Sequence, residues 1–467
     1  MVFQNYLIAL LILLFGQHTF SQANKKKILT PEAFIQQVKL YHPVAKQANI
    51  LINKAAAELL TAKGGFDPVI SADASRKTFD GKSYYYYTNP ELKIPTLIGI
   101  DIKTGLENNG GNFINTEKTA GKTSYLGIDI PLAKGLMLDT RRAVLQQAKI
   151  FQQQSEQERL AIFNDLLFNA YTDYWQWTWA FQLYGIYSKF VDVANNRLRL
   201  VRVGYTNGDR AMIDTIEAFA QLQIYQLQKS EALLRLNQVT FDLSNYIWQK
   251  GNIPIQLPSE YVPDTIQFAM TIVQQPIDEI INQAATNNPD LKGYELKLNS
   301  QEVERRLKFQ SLLPSLNLRA NLLNRDYYAL KGLDAALLQN NYKWGINFKL
   351  PLFLREGRGA YRLSKLKIEE TGLQLVDKRW QIENKIRSYY SDNILLRQQL
   401  QTTQIIYNNY LSLLHNEELK FANGESTLFL VNSRESKVLE LLQKQVELRF
   451  KYFKSRYAIE WAAGLLR

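Results

Sequence analysis

A chain of 467 residues with no cysteine forms no disulfide, offers no thiolate to a metal or substrate, and has no N-terminal cysteine to carry a lipid. Its three histidines, His18, His42 and His415, are too far apart in sequence to form a spaced metal motif. The net charge of +12 comes from Lys and Arg interspersed with Glu and Asp; beyond Lys25–Lys27 there is no dense basic run, so a solvated helical surface explains it better than a nucleic-acid site.

The N-terminus has the pattern of a secretory signal. Tyr6 to Phe15 is an unbroken apolar run, too short for a spanning helix. Thr19 and Ser21 are small residues at the spacing a signal peptidase prefers, so residues 1–21 are expected to be removed after Ser21, although no Lys or Arg precedes the run. No later segment has the roughly 18 to 20 continuous apolar residues of a membrane helix.

Behind the signal, one unit is written twice. The segment "LTPEAFIQQVKLYHPVAKQANI" from Leu29 aligns without a gap on "QPIDEIINQAATNNPDLKGYEL" from Gln275, so that Pro43 falls on Pro289 and, further along, Pro68 on Pro314. The match resumes where Pro131 aligns with Pro351, and again at "NGDRAMID" from Asn207 and "NGESTLFL" from Asn423. This predicts a first repeat over 22–250, a connector over 251–274 marked by Pro254, Pro258 and Pro263, and a second repeat over 275–467.

Each repeat opens with a short helix, a His-Pro or Asn-Pro break, a longer helix, and a proline that starts a strand. The strands alternate: Ile70, Ala72 and Ala74 against Ser71, Asp73 and Ser75; Ile128 and Ile130 against Gly127 and Asp129; Ile346 and Phe348 against Asn347. Period-two alternation gives one apolar and one polar face, as in a soluble sandwich or in a membrane barrel of about 9 to 11 residues per crossing. In a barrel, Ile128, Ile130, Ile346 and Phe348 are the expected lipid-facing positions, and Tyr84–Tyr87 with Tyr327–Tyr328 the expected interfacial girdle. Residues 80–122 exceed what the second repeat spends there. They include an alternating stretch at Ile98, Ile100 and Ile102, and an extracellular excursion is expected in preference to a further pair of crossings.

From about Thr140 to Arg202 and from about Gly357 to Ala422 there is no proline, which predicts two helices reaching roughly 95 Å at 1.5 Å per residue. Leu160, Phe163, Leu166, Leu167 and Tyr171 mark an apolar side, with Asn164 and Asp165 opposite. Helices of this length need partners along their whole extent. The Asn207–Gly208 and Asn423–Gly424 pairs then turn each chain segment into a returning helix. About four amphipathic strands are too few to close a membrane barrel and open edges do not occur in lipid, so a barrel would have to be shared between chains.

The paired "HP" and "NP" breaks, the strand exits Pro131–Leu132 and Pro351–Leu352, "GRGA" at Gly357–Ala360 and the two Asn-Gly turns occur in an order that resembles the TolC-type outer-membrane efflux family over about Leu29 to Leu466. The resemblance implies a mainly α fold with a β-barrel part: long antiparallel helical hairpins forming a periplasmic α-barrel, and a twelve-stranded barrel shared by a homotrimer. It implies a location in the outer membrane extending into the periplasm, a periplasmic adaptor (membrane fusion) partner, and an inner-membrane pump whose class stays open. It also implies an entrance closed by an iris of helical hairpins. By position Asp214 falls on an acidic entrance residue. Leu430 stands where an aspartate ring is common and Ser426 where an arginine latch occurs, so Leu428–Leu430 would gate apolarly.

No catalytic, cofactor or metal constellation is expected. "AGKTS" at Ala120–Ser124 lacks the first glycine of a phosphate loop, with Thr116 in its place, and enters a strand. Glu156, Glu158 and Glu217 read as salt-bridged helix surface. The chain is thus expected to be a passive outer-membrane exit duct for small molecules or secreted protein, in a tripartite efflux or type I secretion system. The alternative is a non-transport periplasmic or surface coiled-coil protein with a β-sandwich head, which would bury the apolar strand faces that a duct exposes.

Overall fold

Prolines and cap residues punctuate the chain where helices must stop, and the element order repeats around them. The computed structural model describes residues 26–270, 275–327 and 340–467; the expected signal and Tyr328 lie outside them. In chain order come β1 (Lys27–Leu29), α1 (Pro31–Tyr41), α2 (Pro43–Gly64), β2 (Val69–Phe79), β3 (Lys82–Pro95), β4 (Asp101–Gly110), β5 (Gly121–Pro131), α3 (Thr140–Thr206) and α4 (Met212–Ser244). Short strands β6 (Trp248–Gln249), β7 (Ile253–Pro254) and β8 (Tyr261–Pro263) and helix α5 (Thr265–Ala269) follow. Then come α6 (Ile277–Asn287), α7 (Pro289–Gln310), β9 (Ser315–Arg325), β10 (Tyr342–Lys349), α8 (Arg355–Ala422) and α9 (Leu428–Ala463).

The two proline breaks have one physical form. A residue before proline is pushed out of the helical region, and proline at the first helical position loses an N–H that has no helical partner anyway. His42 (φ −63, ψ 133) accordingly separates α1 from α2, and Asn288 (φ −64, ψ 124) separates α6 from α7. Asn288 adds a cap, its side-chain oxygen accepting from the Asp290 N–H at 3.0 Å. The connector is packed as well as linking: β8 pairs in parallel with β1, and Phe268 of α5 is fully buried.

The chain divides into two compact units, each drawing on both sequence halves. One contains the chain to Ala45, Asp165–Gln275 and Arg387–Trp461; the other contains Lys46–Asn164, Pro276–Ile386 and Ala462–Arg467.

The first unit is helical. Val191, Ala194, Leu198 and Val201 follow a three-four-three spacing and pack with Ala218, Leu222, Tyr225, Leu428 and Leu439, a coiled-coil seam. Farther along the same helices, Trp175 stacks on Phe453 (4.1 Å) and on Phe268 (5.7 Å), which also stack on each other at 5.7 Å. The helix turns are built identically. Gly208 and Gly424 both have φ +80, which glycine alone adopts without strain. Gly208 N–H donates to the Tyr205 carbonyl and Asp209 N–H to Gly204, as Gly424 N–H does to Phe421 and Glu425 N–H to Lys420, so each helix ends in a Schellman motif.

The second unit carries one six-stranded antiparallel sheet in the order β10-β9-β5-β4-β3-β2. Here the structure corrects the reading of residues 80–122. They are no excursion: β3 and β4 are full members of the sheet, β4 pairing with β3 on one side and β5 on the other. Ile98 and Ile100 lie in the connecting turn, and only Ile102 of that alternating trio is in a strand. Asn164, expected opposite the apolar side of its helix, is 7% exposed, because the C-terminal end of the chain packs there and the Leu466 N–H donates to its side-chain oxygen at 3.2 Å.

Candidate functional site

The sheet has its faces the wrong way round for a water-soluble protein. Register places Ile346 opposite Leu318, Leu318 opposite Ile130, Ala320 opposite Ile128, and Ile128 opposite Ile102, so these side chains share one face with Trp344, Phe348, Leu92 and Ile70. That face is open: Ile70 is 80% exposed, Trp344 63%, Phe348 62% and Ile346 56%, with Ile128 exposed and Ile130 half-buried. The opposite face holds the charges. Lys103 lies 3.2 Å from Asp129, and Arg319 reaches the same carboxylate at 3.5 Å. Asn109 and Thr123 on this polar face are buried. A soluble antiparallel sheet buries its apolar face; this one leaves it open, and no second sheet covers it among the described residues. A patch of this size marks contact with lipid or a partner. The Tyr84–Tyr87 cluster lies towards the far end of the sheet, Tyr85 stacking on Tyr87 and Tyr84 tilted against Phe113, each at 4.8 Å.

The helical unit brings the two Asn-Gly turns together. Arg210, just past Gly208, donates to the Phe421 carbonyl (2.9 Å) and lies 3.9 Å from the centre of its ring. Asp214 sits in the first turn of α4, partly exposed, where a carboxylate complements the helix dipole; Ala211 holds the cap position itself. Leu430 is 39% exposed, and Phe429 beside it is exposed as well. Leu428 differs from the expected entrance role: at 1% exposure it packs into the seam with Leu198, Val201 and Leu222, so it is a core residue of the protomer and lines no open passage there. The Ser426 hydroxyl donates to Glu417 of the same hairpin.

A buried polar network in this unit joins all four long helices. Arg197 on α3 pairs with Glu435 on α9, approaches Glu418 on α8 at 3.6 Å, and donates to the Asn432 side-chain oxygen at 3.1 Å. Asn432 donates in turn to Glu217 on α4 at 2.9 Å. Glu217 is therefore a cross-hairpin partner and not the plain helix surface expected, whereas Glu156 forms the expected surface pair with Arg159. Glu435 is 2% exposed. Burial first, and then the neighbouring Glu435 carboxylate, pushes the Tyr225 phenol above its ordinary value. This network could have been suspected from one signal: Leu428, Val431, Glu435 and Val438 continue a three-four-three pattern, which puts a charge on a seam position. Its partner, Arg197, is not locatable by spacing.

Nothing in these two places is arranged for bond-making, and no group of acidic, histidine or cysteine side chains among the described residues could hold a metal ion. Residues 280–465 match the family described as outer membrane efflux protein. The chain's fold as a whole is similar to solved outer-membrane channels. Against the Campylobacter jejuni CmeC outer membrane channel the TM-score is 0.65 at 17% identity, covering 93% of this chain and 86% of that one. Against the outer membrane protein VceC of Vibrio cholerae it is 0.64 at 14%, covering 93% and 96%. Against the open state of the Neisseria gonorrhoeae MtrE outer membrane channel it is 0.64 at 13%, covering 94% and 89%. No curated protein sequence matches the chain significantly. The chain thus has the mainly helical, part-β fold of those channels.

A buried charge pair is most sensitive to losing one member, because the other is left uncompensated, by roughly 3 to 5 kcal/mol. Arg197→Ala is therefore expected to lower the thermal transition of the purified protein more than the double substitution Arg197→Met/Glu435→Leu, which removes both charges. A double variant less stable than Arg197→Ala would show that the pair is not what holds these helices in register.

Proposed function

We propose that this protein is the passive exit duct of a tripartite efflux or type I secretion system. Three copies would form the conduit, a periplasmic adaptor would seat it, and an inner-membrane pump would supply the energy. The observation that carries the reading is the two-faced sheet, with an uncovered apolar face and a charged face opposite, which suits lipid outside and water inside. The match of residues 280–465 to the family described as outer membrane efflux protein supports it. The two adjacent Asn-Gly turns support a periplasmic entrance at that end of the helices, with Asp214 and Leu430 at comparable depth because each stands six residues past its glycine.

Charge on a lipid face costs roughly 2 to 4 kcal/mol at mid-membrane. Ile128→Arg and Phe348→Arg should therefore reduce the assembled trimer recovered from outer membranes, and Asn347→Arg, on the charged face, should not. Equal sensitivity at all three positions would favour a sheet buried in protein over one in lipid.

At the entrance, Leu430→Ala should raise single-channel conductance in planar bilayers. Asp214→Asn should mainly weaken cation preference, since it removes one carboxylate per copy from a narrow passage. Recordings in which both variants match the parent in conductance and selectivity would place the constriction elsewhere.

A further inference from the structure

We infer that each copy of this protein gives six strands to the shared barrel, so that a trimer closes eighteen strands where the family resemblance implies twelve. The inference rests on the trimeric duct proposed above and concerns the hairpin β3–β4 and the two free edges of the sheet.

The hairpin is a complete pair of crossings. Lys82–Pro95 and Asp101–Gly110 have 14 and 10 residues, against the roughly 9 to 11 of one barrel crossing. Its turn comes back to the helix-bearing end of the sheet and is fastened there. Arg141, at the start of α3, binds Asp101 at 2.9 Å, and Arg142 donates to the Ile98 carbonyl at 3.3 Å. Lys93 closes the base of the turn by binding Asp101 at 2.9 Å. The Arg142 guanidinium passes so close to Gly99 that a Cβ there would stand 2.7 Å from it, and Gly99 has φ +88, so the turn is built for this approach. The turns at the opposite end, Asp80–Gly81 and the loop after Gly110, are tied to each other: Asn112 N–H donates to Ser83 and Phe113 N–H to Tyr84. An excursion beyond the membrane would have no reason to return to the start of a periplasmic helix.

The face pattern also runs through the hairpin without a break. Leu92 and Ile94 stand opposite Ile70 and Ile102 on the apolar side, and Lys93 opposite Lys103 on the charged side. A hairpin lying outside the barrel would have no need to keep both faces in step with its neighbours.

The edges name the occupant. Every residue of β2 and every residue of β10 is exposed, and each strand pairs on one side only. Two long free edges cannot stand in lipid, where unpaired backbone groups go unsatisfied. With six antiparallel strands, β2 and β10 run in opposite directions. The β2 edge of one copy therefore meets the β10 edge of the next as another antiparallel pair, and identical copies can close a ring head to tail. Face matching requires odd-numbered residues of β2 to meet odd-numbered residues of β10, which puts Asp73 on the same side as Lys343 and Lys349, an opposite-charge match across the joint. Barrel diameter grows roughly linearly with strand number, so eighteen strands enclose a bore about half as wide again as twelve.

The protein has no native cysteine, which makes the joint directly testable. Under oxidation, Ser71→Cys or Asp73→Cys combined with Gly345→Cys or Asn347→Cys should give covalently linked trimers from the outer membrane, the productive pair reporting the register. Ala72→Cys with Asn347→Cys, on opposite faces, should give none. Electron cryomicroscopy of the unmodified protein in lipid nanodiscs needs no substitution and should count eighteen strands. A trimer with twelve strands in the barrel and β3–β4 projecting from it overturns the inference and leaves the duct intact. Closure of six-stranded sheets in an assembly other than a trimer overturns the eighteen and the proposed trimer together, and keeps six strands per copy.

Discussion

Every backbone N–H and C=O in a sheet must find a partner, and in this protein that requirement meets an apolar face turned outwards. Water would reject the face, and lipid would reject the unpaired edges. On the proposed reading, a sheet with Ile70, Trp344, Ile346 and Phe348 exposed on one side and Lys103, Asp129 and Arg319 on the other satisfies both as part of a closed barrel with lipid outside and a wet interior. The rest of the chain is consistent with that solution. Helices too polar to enter a membrane are joined to the sheet through short prolyl exits at Pro131 and Pro351, and the arginines that begin α3 fasten the intervening turn of the sheet.

The helical unit addresses a different problem, that of fixing the register of long helices which could slide. A uniform apolar seam specifies position weakly. Setting Glu435 on a seam position, with Arg197 and Asn432 around it, allows few registers, because any slip leaves a buried charge alone. Since the same network touches α3, α4, α8 and α9, it locks one hairpin to the other. Beyond it, Arg210 on Phe421 makes a second, lighter tie between the turns.

Much of this was legible in the sequence because it depends on local chemistry. Proline placement gave both helix breaks, period two gave the strand faces, and Asn-Gly gave both helix turns. What failed depended on distant partners. The alternation of Ile98, Ile100 and Ile102 imitates a strand, yet the strand begins at Asp101, and only the Lys93 and Arg141 contacts reveal a turn there. Leu428 and Leu430 look alike in sequence, but the helix period turns one into the seam and leaves the other outside. The burial of Asn164 is not visible in its helix periodicity, because Leu466, whose N–H it accepts, is far away along the chain. Glu217 reads as ordinary helix surface until Asn432 stands beside it.

The claim on which the account turns is that adjacent residues of one strand face lipid and water. Ile346 and Asn347 offer the sharpest comparison, being neighbours on opposite faces of β10. A bimane fluorophore on Ile346→Cys, in the protein reconstituted into bilayers, is predicted to be quenched by spin-labelled lipid and insensitive to aqueous iodide. The same label on Asn347→Cys is predicted to show the reverse. Iodide quenching at both positions, or shielding of both from lipid, would contradict the account.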